Sequence, residues 1–231
     1  MDREKNALIT GASSGIGYEL TRLFAHDGYN LVLVARNQKQ LMQMADELKE
    51  KYSVSVKVIS KDLSAASAPE EIFTELQQES RGIDALVNKK LFLPGMLNKR
   101  TGKILNLAST AAFQPGPLMA VYYATKAYVL SFSEALANEL HGTGVSVTAL
   151  CPGPTESGFQ KKAHMEDSKL FSGKIMDAQT VARIGYRGLM TNKTVVIPGL
   201  RNKILVETVR FSPRKMVTRV VRNMQESVHK S

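Results

Sequence analysis

The chain has 231 residues, enough to bury a sizeable core within one α/β domain spanning residues 1–231. Apolar residues make up 43% and charged residues 23%, and no run of about eighteen apolar residues occurs, which excludes a spanning helix. The formal net charge is +10, and residues 201–231 alone hold eight Lys or Arg against two Glu. No nucleic-acid-binding motif or aromatic stacking platform accompanies that charge, so nucleic acid is not an expected partner. The first residues lack an apolar signal core, and the lone Cys151 excludes an internal disulfide. Both point to a reducing, cytoplasmic setting, with Cys151 a small core residue at a strand end.

Taken in chain order, strand and helix alternate. Asn6–Thr10 reads as a buried strand, followed by glycines and a helix through Ile16, Leu20, Leu23 and Phe24. Leu31–Ala35 is a second strand, and Gln38–Lys51 a helix with Leu41, Met44, Ala45 and Leu48 on one face. Val54–Ile59 is a third strand, and Pro69–Gln78 a helix with Pro in its first turn. Ile83–Val87, Ile104–Ala108, Val145–Leu150 and Thr194–Ile197 complete about seven strands, with a long helix over Leu118–Leu140. Near-continuous apolar strands between helices predict a parallel, doubly wound sheet of Rossmann type, three layers deep.

Thr10-Gly11-Ala12-Ser13-Ser14-Gly15-Ile16-Gly17 joins the first strand to the first helix. Gly11 permits a tight turn, Gly15 lets backbone approach a pyrophosphate, and Gly17 allows close helix–sheet packing. The helix N-terminus presents free N–H groups to an anion. Glycines at this spacing are a weak signal alone, and the strand–turn–helix context raises it. Arg36 ends the second strand, where folds that prefer NAD carry an acid for the ribose hydroxyls; a guanidinium suits a 2′-phosphate, so NADP(H) is the expected cofactor. Asp62, followed by Leu63, closes the third strand. Its carboxylate suits the adenine amino group, and a plain turn or cap role fits as well.

Tyr122 and Lys126 stand four apart on the long helix and share a face. An ammonium beside a phenol favours the phenolate, which predicts a Tyr122 pKa below the usual value and a group able to exchange a proton with a carbonyl or alcohol. Ser109, at the end of the fifth strand, can hydrogen-bond a substrate oxygen as charge develops there. Tyr123, three residues from Lys126, is read as packing.

These motifs together resemble the short-chain dehydrogenase/reductase family: the Thr-Gly-x-x-x-Gly-x-Gly loop at Thr10–Gly17, Asp62-Leu63, Ser109 and the Tyr-x-x-x-Lys pair. The resemblance covers nearly the whole chain and includes a bacterial branch of broadly described reductases. It implies an oxidoreductase that moves a hydride between NADP(H) and a carbonyl or alcohol. Tyr122 would be the acid/base, Lys126 would tune it and hold the ribose, and Ser109 would orient the oxygen. It further implies cofactor contacts from Gly11, Ser13, Ser14, Gly15, Ile16, Gly17, Arg36, Asp62, Leu63 and Asn88. Cys151-Pro152-Gly153-Pro154-Thr155 resembles the family's Pro-Gly turn at the nicotinamide end, so Pro152 and Gly153 join that set, with Ser157 or Thr155 placed to hold the carboxamide.

The pattern breaks after Asn88. The family continues with a second Asn and Ala-Gly; here Lys89-Lys90 follows, and Leu91–Met96 resembles the end of a later helix. By that comparison about thirty residues are absent from a crossover that needs only about a dozen. The sheet can still connect, but the family's active-site Asn and one wall of the cofactor cleft are missing. A non-catalytic cofactor-binding or interaction protein is therefore the rival reading. Much of the family's subunit-pairing helix is also gone, so a homo-oligomer is possible but is put in doubt by the deletion, and apolar surface should stand uncovered. A deletion, a gene-model error and a stretch left out of the chain each fit the sequence.

Residues 154–177 occupy the place of the family's substrate lid, and His164 within it is read as an exposed loop residue. Residues 212–226 form a basic amphipathic helix, Ser212 as cap and Pro213 as first residue, with Met216, Val217, Val220, Val221 and Met224 in one stripe. Two placements remain open for it: against an anionic membrane surface, or packed on the domain or a partner subunit.

Overall fold

The computed structural model describes residues 4–87, 92–157 and 175–226. Its elements are β1 (Asn6–Thr10), α1 (Gly15–His26), β2 (Asn30–Ala35), α2 (Gln38–Tyr52), β3 (Val56–Ser60), α3 (Ala68–Gln78), β4 (Ala85–Val87), α4 (Leu93–Lys99) and β5 (Gly102–Leu107). There follow α5 (Ala120–Glu139), β6 (Val145–Leu150), β7 (Thr155–Glu156), β8 (Met176–Asp177), α6 (Ala178–Met190), β9 (Val195–Val196), α7 (Leu200–Phe211) and α8 (Arg214–Gln225). Seven strands pair in parallel in the order β3-β2-β1-β4-β5-β6-β9, and β7 and β8 form a separate two-stranded ribbon. This is the Rossmann-like sheet flanked by helices that the apolar runs predict.

Both faces of the sheet are covered, which is why its strands read as runs rather than as alternations. Along β2, Leu31, Leu33 and Ala35 face one layer with Leu20, Phe24 and Leu41, while Val32 and Val34 face the other with Ile72, Leu76 and Met96. On the first side Phe24 makes edge-on ring contacts with Tyr29 at 5.1 Å and Tyr186 at 4.9 Å. Each such pair contributes about 1 kcal/mol beyond area burial. The Tyr186 hydroxyl donates to Asp27 at 2.7 Å, tying α6 to the end of α1.

The shortened crossover does connect β4 to β5. Leu86 and Ile104 pair in parallel register, and α4 between them buries Met96 completely against the sheet. On α5, Val121 and Tyr128 are exposed at 78% and 68%. Among the described residues no helix is long and apolar enough to cross a membrane.

The C-terminal end differs from expectation in three ways. The helix α7 (Leu200–Phe211) was not anticipated, because its apolar residues are spread around it and only Val206 is buried. Ser212 does not cap the last helix: its hydroxyl donates back to the Thr208 carbonyl at 2.8 Å, Pro213 takes the cap position, and α8 starts at Arg214. The apolar stripe of α8 is split. Val217 and Val221 pack against Ala111 and Tyr123, as the domain-packing placement requires, whereas Met216, Val220 and Met224 remain partly open to solvent.

Cys151, fully buried beyond β6, has its thiol pushed up to about 12 by burial. At pH 8 its thiolate fraction is about one in ten thousand. A colorimetric thiol assay should therefore find no reactive thiol in the folded chain and one after denaturation; rapid reaction of the folded chain would contradict the packing around β6.

Candidate active site

The site begins with the turn after β1. Gly11 and Gly15 adopt φ of +67° and +56°, a region that side chains disfavour, so these two positions require glycine. Gly17 has a different reason: a Cβ there would lie 2.3 Å from the Gly11 carbonyl oxygen. That approach sets α1 tightly on the end of β1. No acidic side chain occupies the first turn of α1, and Ser14 makes no side-chain cap bond, so the helix end keeps its positive character toward an anion.

In front of this turn lies a cleft of about 480 Å³. Gly11, Ser13, Ser14 and Ser157 line one end, and Ala35, Arg36, Asn37, Gln40, Lys61, Asp62 and Leu63 line the other. The backbone cradle and the open space beside Gly11 fit a nucleotide's phosphates, and the far end offers two cations to a further anion. Ser157 approaches so closely that a Cβ on Gly15 would sit 3.0 Å from its own Cβ. Ile16 is 8% exposed and belongs to the core, leaving only its backbone to face the loop. Asp62 accepts from the Ser64 N–H at 3.0 Å, the turn role held open by the sequence; that bond first, then the Ser64 side chain, and least the Arg36 charge, hold its carboxyl below the usual range.

Three lining residues escape the sequence reading. Asn37 caps α2 by accepting from the Gln40 N–H at 3.1 Å, and the Gln40 side chain donates to the Ser13 carbonyl at 2.8 Å, fastening α2 to the loop. The spacing of a capping residue and an amide three places on was the available signal. Lys61 is the third, legible only once β2 and β3 are paired.

The second half of the site lies beyond β5 and β6. The Ser109 hydroxyl donates to the Pro152 carbonyl at 3.3 Å, accepts from the Ala111 N–H at 3.1 Å, and shares a hydrogen bond with Tyr122. The Thr110 N–H also donates to Pro152 at 2.9 Å, so the Ser109 turn and the Pro152-Gly153 turn are joined. Lys126 lies 5.8 Å from the Tyr122 ring centre, and its ammonium donates to the Leu107 carbonyl at 2.8 Å. Ser109, Tyr122 and Lys126 thus meet at one place. Thr155 is buried and donates to the Gly153 carbonyl at 2.9 Å, whereas Ser157 faces the cleft. Asn88, His164 and residues 158–174 of the lid lie outside the described residues.

One electrostatic expectation is corrected. Burial raises the Tyr122 phenol above its usual value, and only the Ser109 hydrogen bond pulls the other way. Lys126 is likewise depressed by burial. Four-residue spacing puts the two on one face, but the ammonium is turned to Leu107 and desolvation prevails. Tyr123 packs as expected and also acts as a tie, accepting from Gln225 of α8 at 2.6 Å.

A family model described as short chain dehydrogenase matches residues 5–90 and, separately, 89–168. The chain belongs to the short-chain dehydrogenase family. The family is one of NAD(P)H-dependent oxidoreductases, and the two matched segments meet at Lys89-Lys90, where the sequence pattern breaks. An uncharacterized oxidoreductase of Staphylococcus epidermidis is 29% identical, covering 85% of this chain and 98% of its own length. That alignment spans 229 positions, which leaves about thirty of them without a counterpart in this chain. A short-chain dehydrogenase of Sphingobium yanoikuyae, solved in complex with NADPH, is 27% identical with a TM-score of 0.78, covering 90% of this chain and 94% of that one. A 7β-hydroxysteroid dehydrogenase structure, 22% identical with a TM-score of 0.82 and covering 94% and 96%, shares the fold.

Proposed function

We propose that the chain, acting as one cofactor-binding unit, is an NADP(H)-dependent oxidoreductase that interconverts a carbonyl and an alcohol. The observation that carries this reading is the meeting of the Ser109 and Tyr122 hydroxyls in one hydrogen bond, beside the Lys126 ammonium, at the carboxyl edge of β5 and β6. NADP(H) as cofactor is supported by Arg36 and Lys61 at the far end of the cleft, and by the NADPH complex of the Sphingobium relative.

When bound, the nicotinamide supplies or accepts the hydride at the carbonyl carbon. The chain's own residues handle the oxygen. Tyr122 donates its phenolic proton to the forming alkoxide during reduction, and takes it back during oxidation. Ser109, held by Pro152 and Ala111, presents its hydroxyl to the same oxygen as negative charge grows there. Lys126 lies beside the phenol ring, 5.8 Å from its centre, and offers a donor to the ribose.

The rival is a non-catalytic cofactor-binding protein, favoured by the break in the family match at residues 89–90. Tyr122→Phe separates the two. For an enzyme the substitution should lower turnover by about a thousandfold, measured as NADPH consumption with a panel of ketones and aldehydes, while cofactor binding stays within a factor of two or three. Equal turnover in the variant would remove Tyr122 from the chemistry.

The raised phenol makes a second expectation. A group shifted upward stays protonated through neutrality, so kcat/KM for carbonyl reduction should be flat there and fall only above about pH 10. Alcohol oxidation, which needs the phenolate, should rise over the same alkaline limb. A reduction profile that breaks near neutral pH would show that Lys126, rather than burial, governs the phenol.

A further inference from the structure

The ends of β2 and β3 carry two cations side by side. Ala35 pairs in register with Ser60, and the Lys61 N–H donates to the Ala35 carbonyl at 3.0 Å, so Arg36 and Lys61 leave neighbouring strands at the same level. Such strands lie about 4.8 Å apart. Both side chains border the nucleotide cleft. Their charges are compensated differently. Arg36 faces Asp62, whose carboxylate is fixed by the Ser64 N–H at 3.0 Å in its own turn. Lys61 is paired with Glu71 on α3, outside the cleft, in a shallow groove that also holds Glu70 and Glu75. Lys61 is the residue that borders both spaces.

The Lys61–Glu71 pair is solvated, with the two side chains 35% and 46% exposed, and pairs of this kind are weak and readily exchanged. A lysine carries its charge on a four-carbon stem with rotatable donors, so the ammonium can change partner without backbone movement. A phosphate dianion in the cleft offers it more charge and more acceptor oxygens than one carboxylate.

Resting on the NADP(H) reading above, we infer that Lys61 is a second contact for a 2′-phosphorylated adenosine nucleotide, and that Glu71 competes with that phosphate for it. In the free protein Glu71 holds the ammonium on the α3 side. The 2′-phosphate draws it across to Arg36, and the two cations clamp the phosphate together. Glu71 thereby sets how strongly the chain prefers phosphorylated over unphosphorylated nucleotide.

The test is calorimetric titration of the full chain with 2′,5′-ADP and with 5′-AMP, which differ by the 2′-phosphate alone. Lys61→Met should weaken 2′,5′-ADP about tenfold, the loss of one charge-assisted contact, and leave 5′-AMP within about twofold. Glu71→Gln should tighten 2′,5′-ADP about threefold, and the gain should vanish in the Lys61→Met background. Unchanged 5′-AMP binding in each variant serves as the control for folding. A wild-type chain that does not prefer 2′,5′-ADP overturns the NADP(H) reading and this inference with it. A wild-type preference that survives Lys61→Met intact, with no gain from Glu71→Gln, leaves the NADP(H) reading standing on Arg36 and overturns the role of Lys61.

Discussion

Parallel strands deliver all their C-terminal ends to one edge of a sheet, and ligands gather where the strand order changes direction. In this chain the order runs outward from β1 to β2 and β3 on one side, and from β4 through β5 and β6 to β9 on the other. Most residues with a claim on chemistry hang from that edge: the glycine turn after β1, Arg36 after β2, Lys61 and Asp62 after β3, Ser109 after β5, Pro152 after β6 and Ser157 after β7, while α5 supplies Tyr122 and Lys126. The arrangement depends on close seating of α1, which holds only while Gly17 presents no Cβ to the Gly11 carbonyl. From that contact follow the position of the helix end and the depth of the cleft before it.

The broken crossover tests how independent these parts are. A parallel connection needs length enough to return to the same edge, and residues 88–101 supply it, with α4 burying Met96 over the sheet. The strands on either side of the break keep their register, so Ser109 and the glycine turn hold their places on the edge. On α5, Val121 and Tyr128 face outward. Burial also leaves Tyr122 and Lys126 shifted in opposite senses, the phenol upward and the ammonium downward, so each is held toward its neutral form.

The sheet was legible because strands buried on both faces must be apolar without interruption, as Leu31–Ala35 is. The glycine turn was legible because backbone conformation and close approach each demand glycine at particular positions. Ser109, Tyr122 and Lys126 were legible as a spacing, and the structure brings them together. Their electrostatics were not legible: helical spacing places two side chains on one face but says nothing of the Leu107 carbonyl that receives the ammonium. Lys61 was invisible for a related reason, since its meaning lies in the register of β2 against β3. The helix α7 was missed because a helix that buries one residue, Val206, has no periodic stripe to detect.

The central claim is that the nucleotide site on this edge is complete enough to work despite the break after β4. Fluorescence titration of the purified chain with NADPH and, in parallel, NADH tests it most directly. One NADPH should bind per chain, saturably and more tightly than NADH. Failure of both to bind would mean that the shortened connection has disabled the cleft, and the catalytic reading would fall with it.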